Sequence, residues 1–142
     1  MSKELNMETT KLENDITVMF VNADSFPAGV LAAHQKLHSL IPFSTERKYF
    51  GLSRPEGDGG IVYKAAAEVS ESGEAEKLNL QTITIKKGNY ISTTVHDYMK
   101  DLPAIGATFQ QMITRPDIDP EGYCVEWYLS DKDVQCMVRL ND

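Results

Sequence analysis

Ser25-Phe26-Pro27-Ala28-Gly29-Val30 and, 76 positions later, Asp101-Leu102-Pro103-Ala104-Ile105-Gly106 are the stretches on which the fold turns. Each follows a β-rich run and opens a segment whose apolar residues recur at helical spacing. In the first, Val30, Leu31, Leu37, Leu40 and Ile41 mark one face, with Ser25 placed as a cap, Pro27 in the first turn and Pro42 as the stop. In the second, Leu102, Ile105, Phe109, Met112 and Ile113 mark the face, and the helix ends before Pro116. The likeness continues beyond the openings. His34-Gln35-Lys36-Leu37 stands against Gln110-Gln111-Met112-Ile113 at the same offset, and Tyr49-Phe50-Gly51-Leu52-Ser53 against Glu126-Trp127-Tyr128-Leu129-Ser130 at an offset one larger. Two amphipathic helices with an early proline can look alike by chance, but the order of the surrounding elements favours an internal repeat.

That order is read outward from the two helices. Ile16 to Val21 is a strand, and Lys48 to Ser53 and Ile61 to Val69 form a hairpin around Arg54-Pro55-Glu56-Gly57-Asp58-Gly59-Gly60. Ser70 to Lys77 reads as an exposed connection. Leu80 to Lys86 and Asn89 to His96 are strands hinged at Gly88, and the chain closes with strands Tyr123 to Leu129 and Val134 to Leu140. Residues 1–14 are polar without sustained period and read as a flexible N-terminal segment, leaving 15–142 as one domain. The string is β-α-β-β, a lone strand, then β-α-β-β. It implies an α+β fold of duplicated β-α-β-β units forming a mostly antiparallel sheet, with two helices on one side and a groove at the pseudo-two-fold junction.

Composition narrows the function classes. A chain of 142 residues with 42% hydrophobic and 25% charged residues is ordinary globular usage and can bury a core. No apolar run approaches the roughly 20 residues that cross a bilayer, and the N-terminus is unlike a signal peptide, so a cytoplasmic protein without membrane contact is expected. The net charge of −7 opposes direct binding to a phosphate backbone. Cys124 and Cys136 are too few for a disulfide framework and read as small buried hydrophobes.

Several short motifs, in order, resemble the GyrI-like family, which includes effector-binding domains of some multidrug-sensing transcription activators and many stand-alone relatives. They are Tyr49-Phe50-Gly51, Tyr63-Lys64-Ala65, Ile85-Lys86-Lys87-Gly88-Asn89-Tyr90 and Glu126-Trp127-Tyr128-Leu129, spread over residues 16–140. Met137-Val138-Arg139 departs from the apolar-Pro-apolar ending common in the family, and nothing resembling a helix-turn-helix precedes the domain. The resemblance implies a small-molecule binding domain for an apolar, cationic ligand, acting as sensor or sequestering protein in transcription regulation or drug response.

Glu126 is the central candidate. In a strand from Tyr123 to Leu129, side chains alternate, so Cys124, Glu126 and Tyr128 share one face, and Trp127 lies on the other, where it is expected to be buried or to cover the helices. An acid between a thiol and a phenol is either a solvent-facing glutamate on an open sheet or the counter-charge of a ligand. The resemblance implies the second, since the corresponding family glutamate meets the ligand's positive charge. Tyr128, Tyr49, Tyr90 and Phe26 are the candidate aromatic walls for an organic cation.

His34 and His38, four apart on one helix, and His96 read as surface histidines; no metal set and no cofactor are expected. Haem is not expected either, because no histidine sits on a strongly apolar helix face. Gly57-Asp58-Gly59-Gly60 is not a phosphate loop, since no helix follows it, and there is no nucleophile elbow. The alternatives to a binding module are a GyrI-like hydrolase of strained electrophiles with Glu126 as general base, or a protein that modulates a topoisomerase through an acidic surface.

Overall fold

The structure, a computed structural model, describes residues 7–55 and 60–141. The tip of the hairpin loop, with Gly57, Asp58 and Gly59, lies outside the described residues. In chain order the elements are β1 (Glu8–Leu12), β2 (Ile16–Asn22), α1 (Val30–Leu40), β3 (Tyr49–Pro55), β4 (Ile61–Glu68), α2 (Glu74–Lys77), β5 (Gln81–Ile85), β6 (Gly88–Val95), α3 (Pro103–Met112), β7 (Cys124–Tyr128) and β8 (Val134–Arg139). A 3-10 turn at Tyr98–Lys100 leads into α3.

The chain forms two compact units. One spans Asp15–Lys86, and the other runs from Lys87 onward together with the segment that ends at Asn14. In the first unit the strands pair antiparallel in the order β3-β4-β2-β5. In the second they pair antiparallel in the order β7-β8-β6-β1. The two orders are the same once β2, α1, β3 and β4 are matched to β6, α3, β7 and β8. Each unit is therefore a β-α-β-β motif with one added strand, and the fold is α+β as the sequence pattern implies. The added strand comes from after the motif in one unit and from before it in the other. That is why Glu8–Leu12 is a strand rather than the frayed end expected of residues 1–14. Its Thr10 hydroxyl lies 2.6 Å from that of buried Ser92 on β6, and ladder pairing satisfies a backbone whose side chains carry no apolar pattern.

In the first unit α1 lies over β4 and β2. His34 of α1 reaches Tyr63, so the alternating residues Tyr63, Ala65 and Ala67 of β4 face the helix. Two alanines beneath the helix let Ala33 and Leu37 pack closely onto the sheet, and all four are buried. Val18 and Met19 are adjacent and both fully buried, so β2 is covered on both faces, which accounts for its continuous apolar run. α1 begins at Val30 with Gly29 as its first cap and no side-chain cap, three residues later than the Pro27 start expected. Leu31 is 67% exposed and is not part of the packed face.

In the second unit α3 lies over β8 and β6. Phe109 and Met112 of the helix form one cluster with Ile91, Val134, Cys136 and Val138 of the sheet, and Ile105 packs against it. Leu102 and Ile113, expected on the same face, are exposed. Pro103 does occupy the first turn.

The Ser70 to Lys77 connection is not wholly exposed. Ala75 of α2 is buried, and Glu74 accepts two hydrogen bonds from Arg47 at 2.9 and 2.8 Å and one from the Ser70 backbone at 3.0 Å. Arg47 also donates to the Glu68 carbonyl at 2.8 Å, so one guanidinium ties the end of β4 to α2. The hydrogen bonds from Arg47 hold the Glu74 carboxyl down to about 2. A carboxyl with a lowered folded-state pKa adds stability above its unfolded value, and this is lost as pH falls through the folded one. Arg47→Met is predicted to lower the unfolding free energy at pH 7 by about 2 kcal/mol in urea titrations. The gap between variant and native should narrow between about pH 4.5 and about pH 2. A gap independent of pH would contradict the assignment.

Candidate functional site

The site is built on the helix-facing side of the second unit's sheet. Ile91 and Val138 point toward α3, so by alternation Thr93 of β6, Cys136 of β8 and Glu126 of β7 do too. The register sets these three side by side, with Glu126 opposite Cys136 and Cys136 opposite Thr93. This polar row is flanked by two rows that are mostly apolar: Cys124, Val138 and Ile91 on one side, and Tyr128, Val134 and Val95 on the other. A carboxylate thus lies between largely apolar rows, on the same sheet face that α3 covers over β8 and β6.

Glu126 is only 8% exposed, which decides between the two readings of this residue. It is not a solvent-facing acid on an open sheet. The Tyr128 hydroxyl donates a hydrogen bond to Glu126 Oε1, as placement two residues apart on one strand face permits. The Tyr98 ring lies 5.7 Å from that of Tyr128, and Tyr98 is held by its backbone N–H on the Lys132 carbonyl at 3.0 Å.

The carboxylate's charge is felt by its neighbours. Burial pushes the Cys136 thiol up to about 12, with Glu126 and Cys124 adding to the rise. Burial also raises the Tyr98 phenol, helped by Asp131 and Glu126. Both groups stay protonated at neutral pH, so Cys136 is no thiolate nucleophile. Cys136 is buried as expected, and Cys124 is partly so. An acid in a largely apolar setting, with phenol rings beside it, has the chemistry that suits a cation.

Tyr90 is buried but lies on the sheet face away from Glu126, because its neighbour Ile91 faces α3. Trp127 is also on that face and is half-buried, so it does not cover α3 as expected. Phe26 and Tyr49 belong to the first unit. Phe26 stacks on Tyr63 at 5.9 Å, and Tyr49 stacks on Phe43 at 5.2 Å and lies 5.0 Å from His38. Tyr49 accepts a hydrogen bond from the Ser44 backbone at 2.8 Å.

His34 and His38 are not surface histidines. His34 Nε2 lies 2.8 Å from the Tyr63 hydroxyl, and burial, reinforced by His38, lowers its pKa to about 4. Both rings join the aromatic cluster between α1 and its sheet, which the apolar stripe alone did not reveal. His96 is exposed and pairs with Asp133 at 3.1 Å. Among the described residues no group of three or more His, Cys, Asp or Glu is placed to hold a metal ion. Tyr98, His34 and Tyr63 are the residues that sequence reasoning missed as members of these clusters.

No protein-family model matches the chain, and no curated protein sequence matches it. Solved structures do match in fold. An integron cassette protein of Vibrio cholerae, VCH_CASS2, superposes with a TM-score of 0.71 at 12% identity, over 95% of each chain. SAV2435 bound to tetraphenylphosphonium superposes with a TM-score of 0.64 at 13% identity, over 95% of this chain and 94% of that one. A hydrolase from Listeria innocua superposes with a TM-score of 0.56 at 9% identity, over 99% and 94%. At these identities the likeness is one of fold, and it extends over nearly the whole chain.

The imidazole of His34 offers a direct check on the cluster in the first unit. Its NMR titration is predicted to have a midpoint of about 4. Between the ordinary histidine value of about 6.5 and that midpoint, only the unfolded chain takes the proton, so stability falls as pH is lowered through this range. Replacing His34 with Gln should flatten that part of the pH–stability curve, and an unchanged slope would contradict the burial of its neutral ring.

Proposed function

We propose that the protein binds a small apolar cation at Glu126, with Tyr128 and Tyr98 as aromatic neighbours, and that it acts as a sensor or sequestering module. The observation that carries this reading is the burial of Glu126 in an apolar face with a phenol donating to it. A buried carboxylate is costly unless hydrogen-bonded or paired, and a ligand cation that displaces water beside it gains a strong, weakly screened attraction. The fold shared with SAV2435, which binds tetraphenylphosphonium, supports the same class of ligand.

A hydrolytic role is the second reading, supported by the fold shared with a hydrolase and by the pairing of an acid with a tyrosine hydroxyl. As general base, Glu126 would have to take a proton from water. One of its oxygens already accepts from Tyr128, and that favours a fixed counter-charge over a proton acceptor. Sensing in transcription regulation or drug response is the role such a module would serve.

Tetraphenylphosphonium and tetraphenylborate share a shape and differ in sign, so they separate charge recognition from apolar contact. By calorimetry the native protein is predicted to bind the cation in preference to the anion. Glu126→Gln should weaken cation binding about tenfold or more while leaving the weak binding of the anion unchanged or stronger. Equal affinity of native protein and variant for the cation would contradict the proposal. Glu126-dependent turnover of a strained electrophile such as an epoxide would favour the hydrolytic reading instead.

A further inference from the structure

β5 ends the sheet of its unit, where it pairs antiparallel with β2. Its sequence is Gln81-Thr82-Ile83-Thr84-Ile85: four β-branched residues in five, with no charge and no proline. Natural edge strands are commonly blunted by lysine, proline or a bulge, because an edge presents backbone donors and acceptors to any passing strand. β1, which ends the other unit's sheet, follows that practice with Glu8 and Lys11. β5 does not, and it is largely exposed.

The surroundings of β5 are self-complementary. If a second β5 lies antiparallel and centred on Ile83, then Thr82 stands opposite Thr84 and Gln81 opposite Ile85. One step further, Leu80 stands opposite Lys86 of the second copy. Residues 80, 82, 84 and 86 share a face by alternation. At the Leu80 end of the edge is a cleft of about 540 Å³ whose lining includes Thr17, Val69, Glu76, Leu80, Gln81 and Thr82. Lys86 of the second copy, opposite Leu80, therefore falls at the cleft end of the edge, and the exposed Glu76 in the cleft lining is the acid set to meet it. The two-fold relation repeats the contact, so the basic end of each edge meets the acidic end of the other.

We propose that β5 is the docking edge for a second copy of this chain, with Lys86 of each copy seated in the cleft beside Glu76 of the other. The proposal is independent of the ligand-binding reading. Sedimentation equilibrium on the full chain, from low to high micromolar concentration, should show a monomer–dimer equilibrium. Ile83→Lys and, at an exposed position that spares the core, Thr84→Lys should each leave a folded monomer by circular dichroism. Glu76→Lys and Lys86→Glu should each weaken dimerisation about tenfold, and the double variant Glu76→Lys/Lys86→Glu should recover most of it. A native chain that stays monomeric throughout overturns the proposal. So does a dimer untouched by Thr84→Lys, which would place the contact elsewhere, or a double variant no better than the single ones.

Discussion

The hydrogen bond from the Tyr128 hydroxyl to the buried Glu126 carboxylate is the interaction on which the functional account depends. It exists because a five-residue strand places two side chains on one face, and because its pairing with β8 sets that face toward α3. Without the phenol, the acid would sit between mostly apolar rows with its charge less well compensated. With it, the carboxylate keeps a fixed orientation, and its charge adds to the burial that raises the Cys136 and Tyr98 pKa values. In the proposed reading, a group held in this way is pre-organised for a cation.

Much of the architecture was legible because it rests on periodicity. The β-α-β-β order, the position of α3 behind Pro103 and the paired strands around 124–139 follow from alternation and helical spacing, which local sequence encodes. What escaped was decided by partners far along the chain. Glu8–Leu12 has no apolar pattern of its own and becomes a strand only because β6 offers a free ladder. Gly29 rather than Ser25 precedes α1, and Leu31, Leu102 and Ile113 are exposed although each fits a helical stripe. A stripe marks which residues are able to pack; the sheet beneath the helix determines which of them do.

The candidate site divides along the same line. Alternation within one strand was enough to put Glu126, Tyr128 and Cys124 on a common face, and the structure buries the acid there. Tyr90 belongs to a segment expected to approach the same place, yet as the neighbour of Ile91 it lies on the opposite face of its sheet. Tyr98 sits in a 3-10 turn, where no periodicity predicts direction, so its place beside Tyr128 had no signal in the sequence. His34 and His38 looked like surface residues because their polarity was weighed without the tyrosines they meet, Tyr63 and Tyr49.

The most direct measurement is a crystal structure of the protein with tetraphenylphosphonium. The account predicts the phosphonium centre beside the Glu126 carboxylate, with a phenyl group against Tyr128 or Tyr98. A cation bound at any other place, with Glu126 and Tyr128 still bonded and no ligand near them, would contradict it.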